Sequence, residues 1–196
     1  MTKIKICGLT RKEDIKYINK YHPDYIGFVF ALSKRQVSDN QAKELKALVN
    51  DDINVVGVFV DDDINHIITL VQQHIIDIVQ LHGNEDEQYI ELLKQHIDVP
   101  IIKAIKVINE DSLKVNYNVD YYLLDNKVSG SGQSFDWSLI KQLNKPFFLA
   151  GGINLNNLDE ALNQQAYGID LSSGVETNGI KDEAKIKEVI RRIRND

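Results

Sequence analysis

One cysteine in 196 residues leaves no room for an intramolecular disulfide framework or a cysteine-rich zinc site. No apolar run approaches the roughly 20 residues that a bilayer-spanning helix needs, and the N-terminus lacks a signal-peptide pattern. The expected setting is a reducing cytoplasm. Basic charge is also scarce. There are 23 Lys and Arg against 29 Asp and Glu, a formal net charge of −6, which argues against nucleic acid or an anionic membrane as a partner. The cluster Arg191, Arg192 and Arg194 suits the C-terminal turn of a helix instead. No Pro/Gly/Ser-rich linker or low-complexity tract divides the chain, so a single domain over residues 1–196 is expected. With 43% apolar and 27% charged residues, that domain can bury a sizeable core.

What is present is a rhythm. Short apolar, β-branched runs recur at 3–7 (KIKIC), 25–30 (YIGFVF), 54–60 (NVVGVFV), 77–81 (DIVQL), 100–105 (PIIKAI), 120–125 (DYYLLD), 146–150 (PFFLA) and 168–173 (GIDLSS). Their near-continuous apolar character suits strands buried on both faces. Helical spacing follows in Gln41–Val49, Glu87–Leu93, Leu155–Leu162 and Asp182–Ile193, where Ile186, Val189, Ile190 and Ile193 form one stripe. The weakest helical pattern is Asn109–Asn118. Alternating strands and helices imply a parallel sheet, and eight units can close into an α/β (β/α)₈ barrel. A doubly wound open sheet that binds a dinucleotide would need a Gly-rich turn after its first strand, which KICGLT is not. The barrel is favoured.

In such a barrel the chemistry lies at the C-terminal ends of the strands. Cys7 ends the first run, Gln80 and His82 the fourth, and Asp125 the sixth; Arg35 lies in the loop after the second. Singly, each has an ordinary structural reading, as a buried thiol, a loop histidine or a turn-forming aspartate. Together at one end of one barrel they point to a site. Two turns are more specific. Ala150-Gly151-Gly152-Ile153-Asn154 and Leu171-Ser172-Ser173-Gly174-Val175-Glu176 offer backbone N–H groups and hydroxyls to an anion. These are the loops where barrels most often hold phosphate. Ser129–Trp137 reads as a mobile cover anchored at its far end by Phe135 and Trp137.

Taken together, KICGLT (5–10), GFVF with SKR (27–35), QLHG (80–83), LLD (123–125), SGSGQSFDW (129–137), AGGIN (150–154) and DLSSGVE (170–176) resemble the phosphoribosylanthranilate isomerase family. The similarity spans nearly the whole chain. Two departures are visible: Ser129 and Ser131 replace a glycine and a threonine usual in that family, and residues 31–35 lack its prolines. The resemblance implies a (β/α)₈ barrel performing an Amadori rearrangement in tryptophan biosynthesis without metal or organic cofactor. Its small-molecule partner would be a phosphosugar–anthranilate substrate, and monomer and homodimer both stay open. By resemblance Cys7 is the general base and Asp125 the general acid. Gly151, Gly152, Ile153, Ser172, Ser173 and Gly174 would take the phosphate.

Arg35 is the candidate for the anthranilate carboxylate, because a guanidinium grips a carboxylate through two hydrogen bonds. Asp170, Gln80 and His82 are candidates for sugar or supporting contacts. Each proton-transfer group has a difficulty. A thiol is mostly protonated at neutral pH, so Lys5, on the same strand face as Cys7, is expected to favour the thiolate. A carboxyl acid must keep its proton well above its ordinary range, through burial or a nearby substrate anion. The alternatives are another phosphosugar barrel isomerase or epimerase, or a barrel that only binds a phosphorylated ligand. An epimerase would want metal-binding His and Asp groups across several strand ends, and the binding module would not need Cys7 and Asp125 together.

Overall fold

The computed structural model describes residues 1–126, 134–140, 143 and 145–195. The eight apolar runs form eight strands: β1 (Lys3–Cys7), β2 (Tyr25–Val29), β3 (Asn54–Phe59), β4 (Ile78–Leu81), β5 (Ile101–Val107), β6 (Tyr121–Asn126), β7 (Phe147–Leu149) and β8 (Gly168–Leu171). Each pairs in parallel with its neighbour, and β1 pairs with β8, so the sheet closes on itself. The closed barrel, rather than the open sheet, is the architecture.

Helices α1 (Lys12–Tyr21), α2 (Asp39–Lys46), α3 (Ile64–Gln72), α4 (Glu87–Lys94), α5 (Leu158–Leu162) and α6 (Glu183–Arg194) connect the strands and close the chain. Polar caps set several starts: Ser38, Asp63, Asp86 and Asp182 each accept a backbone N–H of the first turn. The α6 stripe of Ile186, Val189, Ile190 and Ile193 is buried as its spacing predicts. Among the described residues no helix is long and apolar enough to cross a membrane.

Three connections depart from the sequence pattern. Asn109–Asn118 carries no apolar stripe and forms only a 3-10 turn, Glu110–Leu113, capped by the Asn109 side chain. The helix expected from Leu155 begins at Leu158, because Asn154 and Asn157 turn their amides onto the Gly152 carbonyl at 2.9 and 3.2 Å. Such local bonds compete with helix formation. The last run ends at Leu171, two residues early; Ser173–Val175 is a 3-10 turn leading into a hairpin of β9 (Glu176–Thr177) and β10 (Ile180–Lys181).

Two apolar layers hold the barrel. One lies between sheet and helices; the other fills the barrel itself, with Val56, Val58, Ile102 and Leu123 at its centre. Aromatic rings seal the N-terminal end. Phe148 meets Tyr25, Tyr167 and Tyr121 at centroid distances of 5.4, 5.3 and 5.7 Å, and the Tyr25 and Tyr167 hydroxyls are hydrogen-bonded at 2.9 Å. Removing the ring of Phe148, which is 1% exposed, leaves a cavity at that end of the barrel. Phe148→Ala is expected to lower stability by about 3–5 kcal/mol, read from the urea midpoint.

Candidate active site

The thiol of Cys7, the last residue of β1, is buried at 8% exposure. Gly27 pairs with it on β2, and a Cβ there would lie 2.5 Å from Sγ, so the missing side chain is what makes room for sulfur. Lys5 lies two residues earlier on the same face, fully buried, with Nζ 2.8 Å from Asp170 Oδ2 on β8. Burial opposes the Lys5 charge, but the Asp170 carboxylate and the Cys7 sulfur outweigh it and hold the ammonium above the usual lysine range. For Cys7, burial pushes the thiol up; Lys5 pulls it down, Asp170 adds to the rise, and Lys181 pulls it down again. Burial wins.

Across the barrel mouth, Asp125 is 6% exposed on β6, where Oδ1 accepts the Asn126 N–H at 2.8 Å. His82 Nε2 lies 3.2 Å from Asp125 Oδ2, and His82 Nδ1 lies 2.8 Å from Gln80 Nε2. The structure therefore brings Gln80, His82 and Asp125 into one chain of contacts. Below it, a buried ion pair fixes the turn: Lys103 Nζ lies 2.6 Å from Glu85 Oε2 and donates to the Gly83 carbonyl at 3.0 Å, while Glu85 accepts the Gly83 N–H at 2.9 Å. Lys103 and Glu85 are residues that sequence reasoning passed over. The signal was a lysine inside the apolar run PIIKAI.

The turns after β7 and β8 touch. Gly151 and Gly152 form the first with φ of 83° and 68°, and a Cβ at Gly174 would collide with the Ile153 carbonyl oxygen. The Gly152 and Ile153 N–H groups meet no acceptor among the described residues. The first N–H groups of the Ser173–Val175 turn have no partner within it. The two serines differ: Ser172 Oγ donates to the Cys7 carbonyl at 3.0 Å, whereas the Ser173 hydroxyl has no partner among the described residues. An anion entering here would meet backbone donors and Ser173, with Ser172 bracing β1.

Arg35 comes to the same mouth, but it is already engaged. Its Nε and Nη2 donate to Glu176 Oε1 and Oε2 at 2.7 and 2.8 Å, and Lys181 Nζ lies 2.6 Å from Glu176 Oε1. Burial would raise the Glu176 carboxyl, but Arg35 and Lys181 outweigh it and hold it at about 2. Burial pushes the Lys181 ammonium down, only partly offset by Glu176. Neither Glu176 nor Lys181 was among the sequence candidates. Asn178-Gly179, both at positive φ, is the two-residue hairpin turn that sets Glu176 opposite Lys181. In the expected Ser129–Trp137 cover, residues 129–133 lie outside the described residues; Phe135 and Trp137 are both buried.

A family model described as N-(5′-phosphoribosyl)anthranilate isomerase matches residues 4–192. The chain belongs to that family. The N-(5′-phosphoribosyl)anthranilate isomerase of Endomicrobium trichonymphae is 48% identical over 200 residues, covering 100% of both chains. Among solved structures, the phosphoribosylanthranilate isomerase of Thermotoga maritima superposes with a TM-score of 0.89 at 32% identity, covering 100% of each chain. A phosphoribosylanthranilate isomerase in complex with reduced 1-(o-carboxyphenylamino)-1-deoxyribulose 5-phosphate superposes at 0.86 with 30% identity, again covering 100% of each.

The electrostatic setting of the thiol has a direct readout. Titrated by its ultraviolet thiolate absorbance, Cys7 is expected to ionise above the ordinary cysteine range. Lys5→Met removes the cation that acts on the thiol most strongly and should move that midpoint further up, lowering the thiolate fraction at neutral pH; an unchanged midpoint would show that Lys5 does not act on the sulfur.

Proposed function

We propose that Cys7 and Asp125 carry the two proton transfers of this chain's reaction. That reaction is the Amadori rearrangement of N-(5′-phosphoribosyl)anthranilate to 1-(o-carboxyphenylamino)-1-deoxyribulose 5-phosphate, a step of tryptophan biosynthesis. The observation that carries the assignment is placement. A thiol ending β1 and a carboxyl on β6 share one barrel mouth with the two touching anion turns after β7 and β8.

The chemistry needs an acid first. Asp125 gives a proton to the ribose ring oxygen, the C1′–O bond breaks, and the substrate nitrogen supplies the electrons to form an iminium. Cys7, as thiolate, then takes the C2′ proton, and the C2′–H electrons form the C1′=C2′ bond of an enolamine. Protonation at C1′ and loss of the C2′ hydroxyl proton give the ketone. The substrate nitrogen is thus the electron sink, and the protein moves protons. His82 and Gln80 support the reading by fixing the Asp125 carboxyl.

The ends of the substrate are anions, and the site offers each a different receptor. The phosphate lies against Gly151, Gly152, the Ile153 N–H, Ser173 and Gly174. Arg35 faces the anthranilate carboxylate, and Asp170, whose Oδ1 is buried without a partner, accepts from a sugar hydroxyl. The partner is a small phosphorylated molecule. Of the oligomer, the Thermotoga maritima relative is dimeric.

Complementation of an isomerase-deficient tryptophan auxotroph is expected with the wild type and not with Cys7→Ala or Asp125→Asn. In purified enzyme each substitution should lower kcat by about 10²–10⁴ with little change in KM. Full rescue by Cys7→Ala would remove the thiol from the mechanism. Ser173→Asp sets a like charge beside the phosphate and should raise KM by roughly tenfold or more; an unchanged KM would displace the phosphate from these turns.

A further inference from the structure

Glu176 touches neither proton-transfer group, yet two cations of the site converge on it. Its side chain is 6% exposed, that of Lys181 is 2%, and that of Arg35 is 15%. Besides the contacts of its carboxylate with Arg35 and Lys181, its backbone carbonyl accepts from Lys185 Nζ at 2.6 Å. A guanidinium has two forked edges. Glu176 closes the edge made by Nε and Nη2, and the Nη1 nitrogen of the other edge meets no acceptor among the described residues. A two-point contact fixes the plane of the group and removes the rotamer freedom that a long side chain would otherwise lose only on binding. Gly8 leaves the room in which the Arg35 Cδ lies. With Arg35 and Lys181 on its carboxylate and Lys185 on its carbonyl, Glu176 sits in a net positive setting that suits an incoming carboxylate.

We propose that Glu176 is a positioning residue for substrate specificity: it presents the second edge of Arg35 to the aromatic carboxylate of the substrate. The proposal rests on the reading of Arg35 as the partner of that carboxylate. The hairpin that carries Glu176 lies outside the eight strands, so specificity for the carboxylate is set by an excursion from the barrel and not by its frame.

Two ligands separate the possibilities: reduced 1-(o-carboxyphenylamino)-1-deoxyribulose 5-phosphate, and its phenylamino counterpart without the carboxyl group. Their affinities are measured by calorimetry, and the ratio is the readout, because a general loosening of the fold weakens both alike. Glu176→Gln keeps the shape of the side chain and should cut the preference for the carboxylated ligand roughly tenfold, with affinity for the other changed by less than about twofold. Since this substitution strips the buried Lys181 of its partner, Glu176→Gln with Lys181→Met is measured beside it and should show the same loss. Arg35→Ala should abolish the preference, and adding Glu176→Gln to it should remove nothing more. If Arg35→Ala abolishes the preference but the folded Glu176 variants keep it, the proposal is overturned and the Arg35 reading stands. If Arg35→Ala keeps the preference, both fall.

Discussion

A lysine ammonium with no exposed surface must find a carboxylate, and in this barrel that requirement joins the closing seam to the chemistry. Lys5 and Asp170 occupy paired positions on β1 and β8, the two strands whose meeting closes the sheet. Well-packed apolar residues would hold such a seam at least as well, because a buried ion pair recovers little more than its own desolvation. What apolar residues would not supply is a fixed positive charge beside the thiol two residues along the strand. The arrangement makes sense as an electrostatic setting for Cys7 rather than as a source of stability.

The two ends of the barrel follow different physics as a result. At the N-terminal end, Phe148 and three tyrosines pack edge to face and pair their hydroxyls, a solution that needs no charge. At the C-terminal end, buried charges are paired at short range: Lys5 with Asp170, Lys103 with Glu85, and Lys181 and Arg35 with Glu176. All but the Glu176–Lys181 pair cross between elements distant in sequence. Breaking one leaves a buried charge uncompensated, which is strongly destabilising, so the pairs define the loop positions more sharply than packing alone would. The two proposed proton-transfer groups sit on strand ends, where the backbone ladder holds them, and the loops bring the partners.

The strands were legible because burial on both faces leaves an almost unbroken apolar signature, as in YIGFVF and NVVGVFV. Closure was legible from the number of units, and the positions of Cys7, Asp125 and the two glycine turns from the rule that strand ends carry the site. The start of α5 was not, since Asn154 and Asn157 act through side-chain bonds to one carbonyl that no periodicity displays. Nor were the ion pairs. Lys103 and Glu85 are 18 residues apart, and Arg35 and Glu176 are 141 apart; only the fold brings them together. The Glu176–Lys181 pair is the exception. Its Asn-Gly turn states the register locally, so that contact was open to a reading that followed the chain past the last strand.

With Cys7 as the proposed base, the balance at its thiol gives Lys5 and Lys181 a role in the chemistry. Burial raises the thiol pKa, which makes the thiolate a stronger base but a rarer one. Proton-transfer rates rise with basicity by less than a full power, so once the pKa lies above ambient pH, the loss of thiolate outweighs the gain in strength. A cation that lowers the pKa therefore raises the rate until the pKa approaches ambient pH. Lys5 and Lys181 both act in that direction, while Asp170 opposes it. Asp170 cannot be dispensed with, because without it the buried Lys5 would lose its partner and shed its own proton. The carboxylate that weakens the effect of Lys5 on the thiol is the one that keeps Lys5 charged.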